Sequence, residues 1–287
     1  MNQNTPLQIA IGLDLSEIDQ FLIKYVKNLD HILPIKKVFF LHNIKMGEIP
    51  KDLLVPEKIS QIISRIENRI QTQIEEIALN FPYEIIIKMD SYSETAFINL
   101  NKTSPFDLLI LGNKQEFEGN GGLAQKLVRV LPCATLLIPE TLHYPITTII
   151  DAIDFSKYTN SIMSWADYFK NNSKGQKIYH SAVYVSKFNW SFLPSITDKD
   201  IKKETLLDVE RKRNTWNQKY SNYSDITIIT ANDKSIATVL LNYAKDKKAA
   251  MIILGVKGNA GLKGLFMGSV AHDIFQRPTD SGILFVK

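Results

Sequence analysis

One cysteine, Cys133, stands in a chain of 287 residues. An internal disulfide is therefore excluded, and so is a zinc site built from spaced Cys and His pairs. A reducing compartment suits such a chain. No apolar run approaches the ~18 residues that a membrane span needs. The first residues, Met1-Asn2-Gln3-Asn4-Thr5-Pro6, show no basic stretch followed by an apolar core, so no secretory signal and a cytoplasmic location are expected. Net charge is only +4, and no Lys/Arg stripe is interleaved with aromatics, which argues against a nucleic-acid partner. The densest basic stretch, Arg211-Lys212-Arg213, stands beside Glu204, Asp208 and Glu210 and reads as a solvated helix face.

What remains is an ordinary globular composition, 45% hydrophobic and 22% charged, with length for about two domains. The chain also repeats itself. Ile9-Ala10-Ile11-Gly12-Leu13-Asp14-Leu15-Ser16 matches Ile149-Ile150-Asp151-Ala152-Ile153-Asp154-Phe155-Ser156. Phe106–Gly112 matches Ala249–Gly255, and Ala134–Ile138 matches Ser281–Phe285. These landmarks recur in order about 140–147 residues apart, which divides the chain into 1–141 and 145–287 with a short polar, Pro-containing join.

Within each half the pattern alternates strand and helix. Strands are expected near Gln8–Leu13, Lys37–His42, Tyr83–Lys88, Leu108–Leu111 and Thr135–Ile138. In the second half they are expected near Thr148–Ile153, Lys177–Val185, Ile226–Thr230, Met251–Leu254 and Ile283–Val286. The clearest helix carries Ile59, Ile62, Ile63, Ile66, Ile70, Ile74 and Ile77 on one face. Strands alternating with helices imply parallel pairing and right-handed crossovers. The expected fold class is α/β, two tandem doubly wound parallel sheets of five strands each, with ligands beyond the C-terminal strand ends. Asp14, Asp154, Gly112 and Gly255 all fall at such ends.

The richest motif is Gly255-Val256-Lys257-Gly258, followed after nine further residues by Gly268-Ser269. It leaves an apolar strand and enters a helix. Glycines let the backbone approach an anion, and free N–H groups at a helix start point at it. The spacing is neither the dinucleotide fingerprint nor the Walker A loop. It resembles the nucleotide loop of the universal stress protein family, in which Gly-x2-Gly-x9-Gly-(Ser/Thr) marks the ATP-binding members. The Asp154-Phe155-Ser156 turn and the Ile-Leu-Gly strand end belong to the same resemblance, which extends over nearly the whole chain as a tandem pair.

The resemblance implies a strand order of 3-2-1-4-5 and an adenine nucleotide, ATP with or without Mg2+, in the second half. It implies contacts from Asp154, Gly255, Gly258, Gly268, Ser269 and the Val270 backbone, with Ala152, Tyr184 and Leu254 bordering the base. Lys257 stands where the family often carries a basic residue. Physically, Ser269 at the helix start can offer hydroxyl and N–H to a phosphate, and Lys257 and Lys263 put positive charge on the loop. Asp154 can accept from ribose hydroxyls or help hold a divalent ion, and a helix N-cap role is compatible with either.

The first half departs from the motif. Gln115 replaces the second glycine, and Gly121-Gly122 replaces Gly-Ser. Eight residues separate the flanking glycines against twelve in the second half, and Glu116 and Glu118 fall where phosphates would lie. One nucleotide per chain is expected, with the first half kept for folding and pairing. The last strand of each half should meet the other across a pseudo-twofold axis, a pseudo-dimer within one chain; composition leaves a further homodimer open. Alternatives to a nucleotide-binding regulatory module are a slow ATPase or phosphotransferase, for which no base with supporting spacing stands out, and a partner-binding scaffold. His42 and Cys133 read as packed residues, and His272 and Asp273 as solvated. Asp151 lies inside a strand that should be buried, which calls for a partner or an exposed strand end.

Overall fold

The computed structural model describes residues 5–114, 122–141, 145–187, 197–257 and 267–287. The first half runs β1 (Leu7–Leu13), α1 (Ile18–Leu29), β2 (Ile35–Asn43), α2 (Pro56–Ile77), β3 (Tyr83–Lys88), α3 (Ser93–Thr103), β4 (Leu108–Asn113), α4 (Gly122–Val130) and β5 (Ala134–Pro139). The second runs β6 (Thr148–Ala152), α5 (Thr159–Asn172), β7 (Tyr179–Ser186), α6 (Asp198–Lys219), β8 (Thr227–Thr230), α7 (Ile236–Asp246), β9 (Met251–Gly255), α8 (Ser269–Phe275) and β10 (Gly282–Val286). All ten expected strands are present, with ends shifted by a few residues at most.

The strands form one sheet in the order β3-β2-β1-β4-β5-β10-β9-β6-β7-β8. Counted within each half, this is 3-2-1-4-5 on both sides, met at the fifth strand. Neighbours pair in parallel within each half. β5 and β10 pair antiparallel, Leu136 opposite Leu284. The two expected sheets are thus fused into one. Antiparallel joining turns one half against the other, so their C-terminal strand ends open on opposite edges of the sheet.

Residue type explains the layering. β4, β5, β9 and β10 lie in the middle and are buried almost throughout. Their unbroken Leu/Ile/Phe/Val runs suit a sheet covered on both faces. The outer strands β3 and β8 are only partly buried. One face is packed by residues of α1, α2, α5 and α6, the other by residues of α3, α4, α7 and α8. Both cores cross the seam: Leu136 and Leu284 share the first, Leu137, Ile283 and Phe285 the second. Each such side chain, fully buried, contributes about 1.5–3 kcal/mol.

Local signals set the helix ends. α2 starts with Pro56 and stops where Ala78 turns left-handed, φ 54°. Of its isoleucine stripe, Ile70, Ile74 and Ile77 are buried, while Ile59, Ile62, Ile63 and Ile66 are half-buried. Thr197 and Asp200 close a capping box at the start of α6. Ser235 caps α7 by accepting from the Thr238 N–H. Polar ties also cross between halves. The Tyr168 hydroxyl donates to Thr5 O at 2.6 Å, Thr141 Oγ1 to Asp280 Oδ1 at 2.9 Å, and the Lys287 ammonium to the Leu131 carbonyl just past α4.

Candidate functional site

The turns after β1 and β6 are built alike. Leu15 (φ 65°) and Phe155 (φ 57°) both sit in the left-handed region, uncommon for bulky side chains and found where surrounding contacts enforce it. The preceding aspartate does the enforcing by accepting the N–H two residues on. Ser16 N–H reaches Asp14 Oδ1 at 3.2 Å, and Ser156 N–H reaches Asp154 Oδ1 at 2.9 Å. A residue in the following helix completes each turn. In the first half it is buried Asp19, which accepts from the N–H groups of Asp14 (3.1 Å) and Leu15 (2.7 Å). In the second it is buried Thr159, whose hydroxyl lies 3.4 Å from Asp154 Oδ1.

The ends of β4 and β9 approach these turns closely. A Cβ on Gly255 would lie 2.8 Å from Tyr158 Cβ and 3.1 Å from the Lys257 carbonyl; one on Gly112 would lie 2.6 Å from Ile18 Cδ1. Strand–helix packing thus demands a glycine at Gly255, whatever else it does, whereas at Gly112 the near atom ends a side chain that can shift. Past β9 the chain is pinned at both ends of the glycine loop. Val256 N–H donates to Val286 O at 2.9 Å, and Gly268 N–H returns to Val256 O at 2.8 Å. Gly258 and Lys263 lie outside the described residues, as do Gln115, Glu116, Glu118 and Gly121 in the first half. Gly268 is the N-cap of α8 and Ser269 its first helical residue, exposed to solvent; Val270 follows, half-buried against the second core. Lys257 is half-buried.

Of the residues expected around the base, Ala152 and Leu254 are register partners in neighbouring strands, on the face packed by α7 and α8. Tyr184 belongs to the opposite face. It packs edge-on against Phe155 with ring centroids 5.4 Å apart. Parity decides this, because Val183, not Tyr184, pairs with Ala152. Burial, with Asp208 and Asp154 nearby, pushes the Tyr184 phenol up to about 12. Within the basic stretch of α6, Arg211 and Arg213 are exposed as expected. Lys212 instead turns inward, its ammonium 5.1 Å from the Phe155 ring centroid and 5.4 Å from that of Tyr184. One turn earlier, Asp208 accepts from buried Ser186 Oγ at 3.0 Å. Lys212 is thus a neighbour of the Asp154 turn that the charge pattern alone concealed.

In the first half the carboxylate matching Asp154 is engaged. Asp14 Oδ2 lies 2.5 Å from Lys114 Nζ, and Asp14 Oδ1 accepts from Ser16 Oγ at 2.5 Å. Partial burial pushes the Asp14 carboxyl up, but the hydrogen bonds and charge of Lys114 and Ser16 outweigh it, and the net shift is downward. Asp19 behind it goes the other way, raised to about 6 chiefly by burial.

The remaining candidates fall as follows. His42 is buried, with Nδ1 3.0 Å from Leu13 O. Cys133 is buried, and that burial pushes its thiol up to about 12. His272 is exposed. Asp273 is not merely solvated: it accepts from the α7 cap Ser235 at 2.6 Å and from Arg277 Nε at 2.8 Å, tying α8 to α7. Asp151 is 1% exposed, and its partner is His180 on the next strand, Nδ1 at 3.1 and 3.3 Å from the two carboxylate oxygens. Among the described residues no group of three or more His, Cys, Asp and Glu could hold a metal ion, and no helix is long and apolar enough to cross a membrane.

Comparisons with known proteins agree with this geometry. Residues 145–279 match the universal stress protein family model. No curated protein matches the chain. Among solved structures, a functionally unknown protein from Pseudomonas aeruginosa PAO1 superposes with a TM-score of 0.68 at 15% identity, covering 99% of this chain and 94% of its own. A universal stress protein from Archaeoglobus fulgidus DSM 4304 superposes with a TM-score of 0.65 at 13% identity, covering 98% and 96%. At these identities the superpositions speak for the fold, over both halves.

Proposed function

From the premise that the chain belongs to the universal stress protein family, its second half being the matched domain, we propose that this half binds ATP or a related adenine nucleotide at the Asp154 turn and the glycine loop. Family and fold support a stress-response role; the nucleotide is our reading. The observation that carries it is the closed base of the loop. The Gly268 N–H to Val256 O bond brings the chain back to the end of β9, so that Lys257, Gly268 and Ser269 are held within one strand end of each other. Asp154 stands at the C-terminal end of the neighbouring strand β6. Open doubly wound sheets bind ligands at such ends.

In this reading the backbone N–H groups of the loop and the Ser269 hydroxyl take the phosphates, Lys257 supplies charge, and Asp154 meets the ribose or a Mg2+ ion bridging phosphates. Ala152 and Leu254 offer an apolar border to the base. Tyr184, on the other face, acts only through Phe155. The protein is then a nucleotide-dependent regulator. The test is calorimetric titration of MgATP against wild type and Gly268→Val. A β-branched side chain there crowds the N–H groups facing the anion, and binding should weaken at least tenfold. Equal affinity in the two proteins, or none in wild type, would sink the reading.

A further inference from the structure

A second cavity lies at the opposite edge of the same half. α5 runs back along the sheet from the C-terminal strand ends, so its last turns, with Asp167 and Lys170, sit beside the N-terminal ends. β7 begins there with Tyr179 and His180, and Asn222–Ser224, ahead of β8, close the third side. Together they bound about 210 Å3. Met163, Ala166 and Ile178 give this space an apolar lining.

Its polar groups are unusual for a leftover void. Asp151 is buried, and among the described residues the His180 imidazole is its hydrogen-bond partner. The other imidazole nitrogen, Nε2, is buried with no partner among the described residues. Asp167, on the facing helix, accepts from the Tyr223 hydroxyl at 2.5 Å. The acids are close enough to feel one another: burial first, then Asp167, raises the Asp151 carboxyl, with His180 opposing. Burial, then Asp167 and Asp151, raises the Tyr223 phenol. Against these stands Lys170, exposed at the mouth. A neighbouring tyrosine already draws an ammonium group, since Lys177 Nζ lies 4.9 Å from the Tyr179 ring centroid.

We propose that this cavity binds a small organic ammonium ion with a short alkyl chain, its charge between Asp167 and Asp151 and its chain against Met163, Ala166 and Ile178. A cation relieves the repulsion between two partly desolvated carboxylates, which an anion would worsen. A neutral apolar guest would fill the space but leave the acids uncompensated. The site is independent of the nucleotide reading, since Asp154 and the glycine loop lie at the other strand ends.

The probe is n-butylammonium, followed by heteronuclear NMR titration of the full chain at pH 8, with n-butanol as the uncharged control of equal length. The expected result is saturable amine binding, at least tenfold tighter than the alcohol, with shifts at Ala166, Ile178 and Tyr223. Asp167→Asn keeps an acceptor for Tyr223 and should weaken the amine at least tenfold. Should that variant not fold, wild type alone decides. Between pH 8 and pH 4.5 the amine stays charged, and the Asp151 carboxyl, which burial raises, is the group whose protonation opposes binding as pH falls, with Asp167, Lys170, His180 and Tyr223 also facing the cavity. Affinity should therefore fall with pH. Equal binding of amine and alcohol, no saturable binding, or indifference to both pH and Asp167→Asn overturns the proposal. Gly268→Val should leave amine binding unchanged, which separates a failure here from a failure of the nucleotide site.

Discussion

Lys114 Nζ lies 2.5 Å from Asp14 Oδ2. In the aligned repeat Lys114 corresponds to Lys257 and Asp14 to Asp154. The first half thus closes its own strand-end cleft with an ion pair between the two residues that, in the second half, we assign to a nucleotide. Half-exposed Asp14 gains little stability from the pair, because solvent screens it. Its consequence is for ligands: a ribose or metal ion would have to displace an ammonium group already bound.

One nucleotide per chain is therefore the expectation. Titration should give a stoichiometry of one. Ser269→Ala removes one hydrogen bond to a charged group and should weaken binding by about 1.5–3 kcal/mol, roughly tenfold to a hundredfold. Asp14→Ala should leave affinity unchanged. Two equivalent sites, or a single site abolished by Asp14→Ala, would show the halves to be assigned the wrong way round.

Much of this architecture was legible in the residues. Strand positions follow from apolar runs, and the β5–β10 seam from the edge position that the family resemblance gives both apolar fifth strands, together with the short join. The Asp-x-Ser turns were visible as a repeat, although their left-handed middle residue was not, since Leu15 and Phe155 have no bias toward it. The resemblance groups Tyr184 with Ala152 and Leu254, but register between strands 30 residues apart is not written locally, and the observed pairing of Val183 with Ala152 turns Tyr184 to the other face. For the same reason His180 could not be named as the partner of Asp151. Lys212 looked like its exposed neighbours because charge pattern says nothing of which side chain bends back over an aromatic pair.

Asp19 makes the first half sensitive to pH. Its carboxyl is raised from 3.8 to about 6 by burial, so the folded state holds this proton more tightly than the unfolded one. The stability it contributes is full below pH ~3.8 and is lost as pH rises through ~6, an amount of about 3 kcal/mol at ~1.4 kcal/mol per unit. Urea unfolding of wild type and Asp19→Asn across pH 4–7 isolates this group. Wild type should lose ground to the variant as pH rises; the opposite trend would show that the hydrogen bonds from Asp14 and Leu15 outweigh burial.

The shared cores predict that the halves unfold together. Leu136 is in the first half and fully buried against Leu284 across the seam. All three tryptophans, Trp165, Trp190 and Trp216, are in the second half. Leu136→Ala should cost about 2–5 kcal/mol through the cavity it leaves. Tryptophan fluorescence, reporting only the second half, should move its urea midpoint as far as far-UV circular dichroism, which reports both. A fluorescence midpoint that stays at the wild-type value would mean that the seam transmits no stability.

The Asp151–His180 pair offers the sharpest energetic test. A buried carboxylate that loses its partner costs about 3–5 kcal/mol, yet replacing both members with apolar residues of similar size is often neutral or stabilising. Asp151 is flanked by Ile150 and Ala152 and lies opposite Ile253 on the neighbouring strand. His180→Leu should therefore destabilise strongly, and adding Asp151→Val should recover most of the loss. The deficit of His180→Leu should also depend on pH. Burial already raises the Asp151 carboxyl, and removing the imidazole takes away the group that holds it down. Its folded pKa then rises further above the unfolded value, so stability is retained at low pH and lost as pH increases. Urea unfolding of wild type, both single variants and the double variant at pH 6 and pH 8 measures this as a double-mutant cycle. A strong favourable coupling that grows with pH is expected; purely additive losses, equal at both pH values, would mean that the two side chains do not depend on each other.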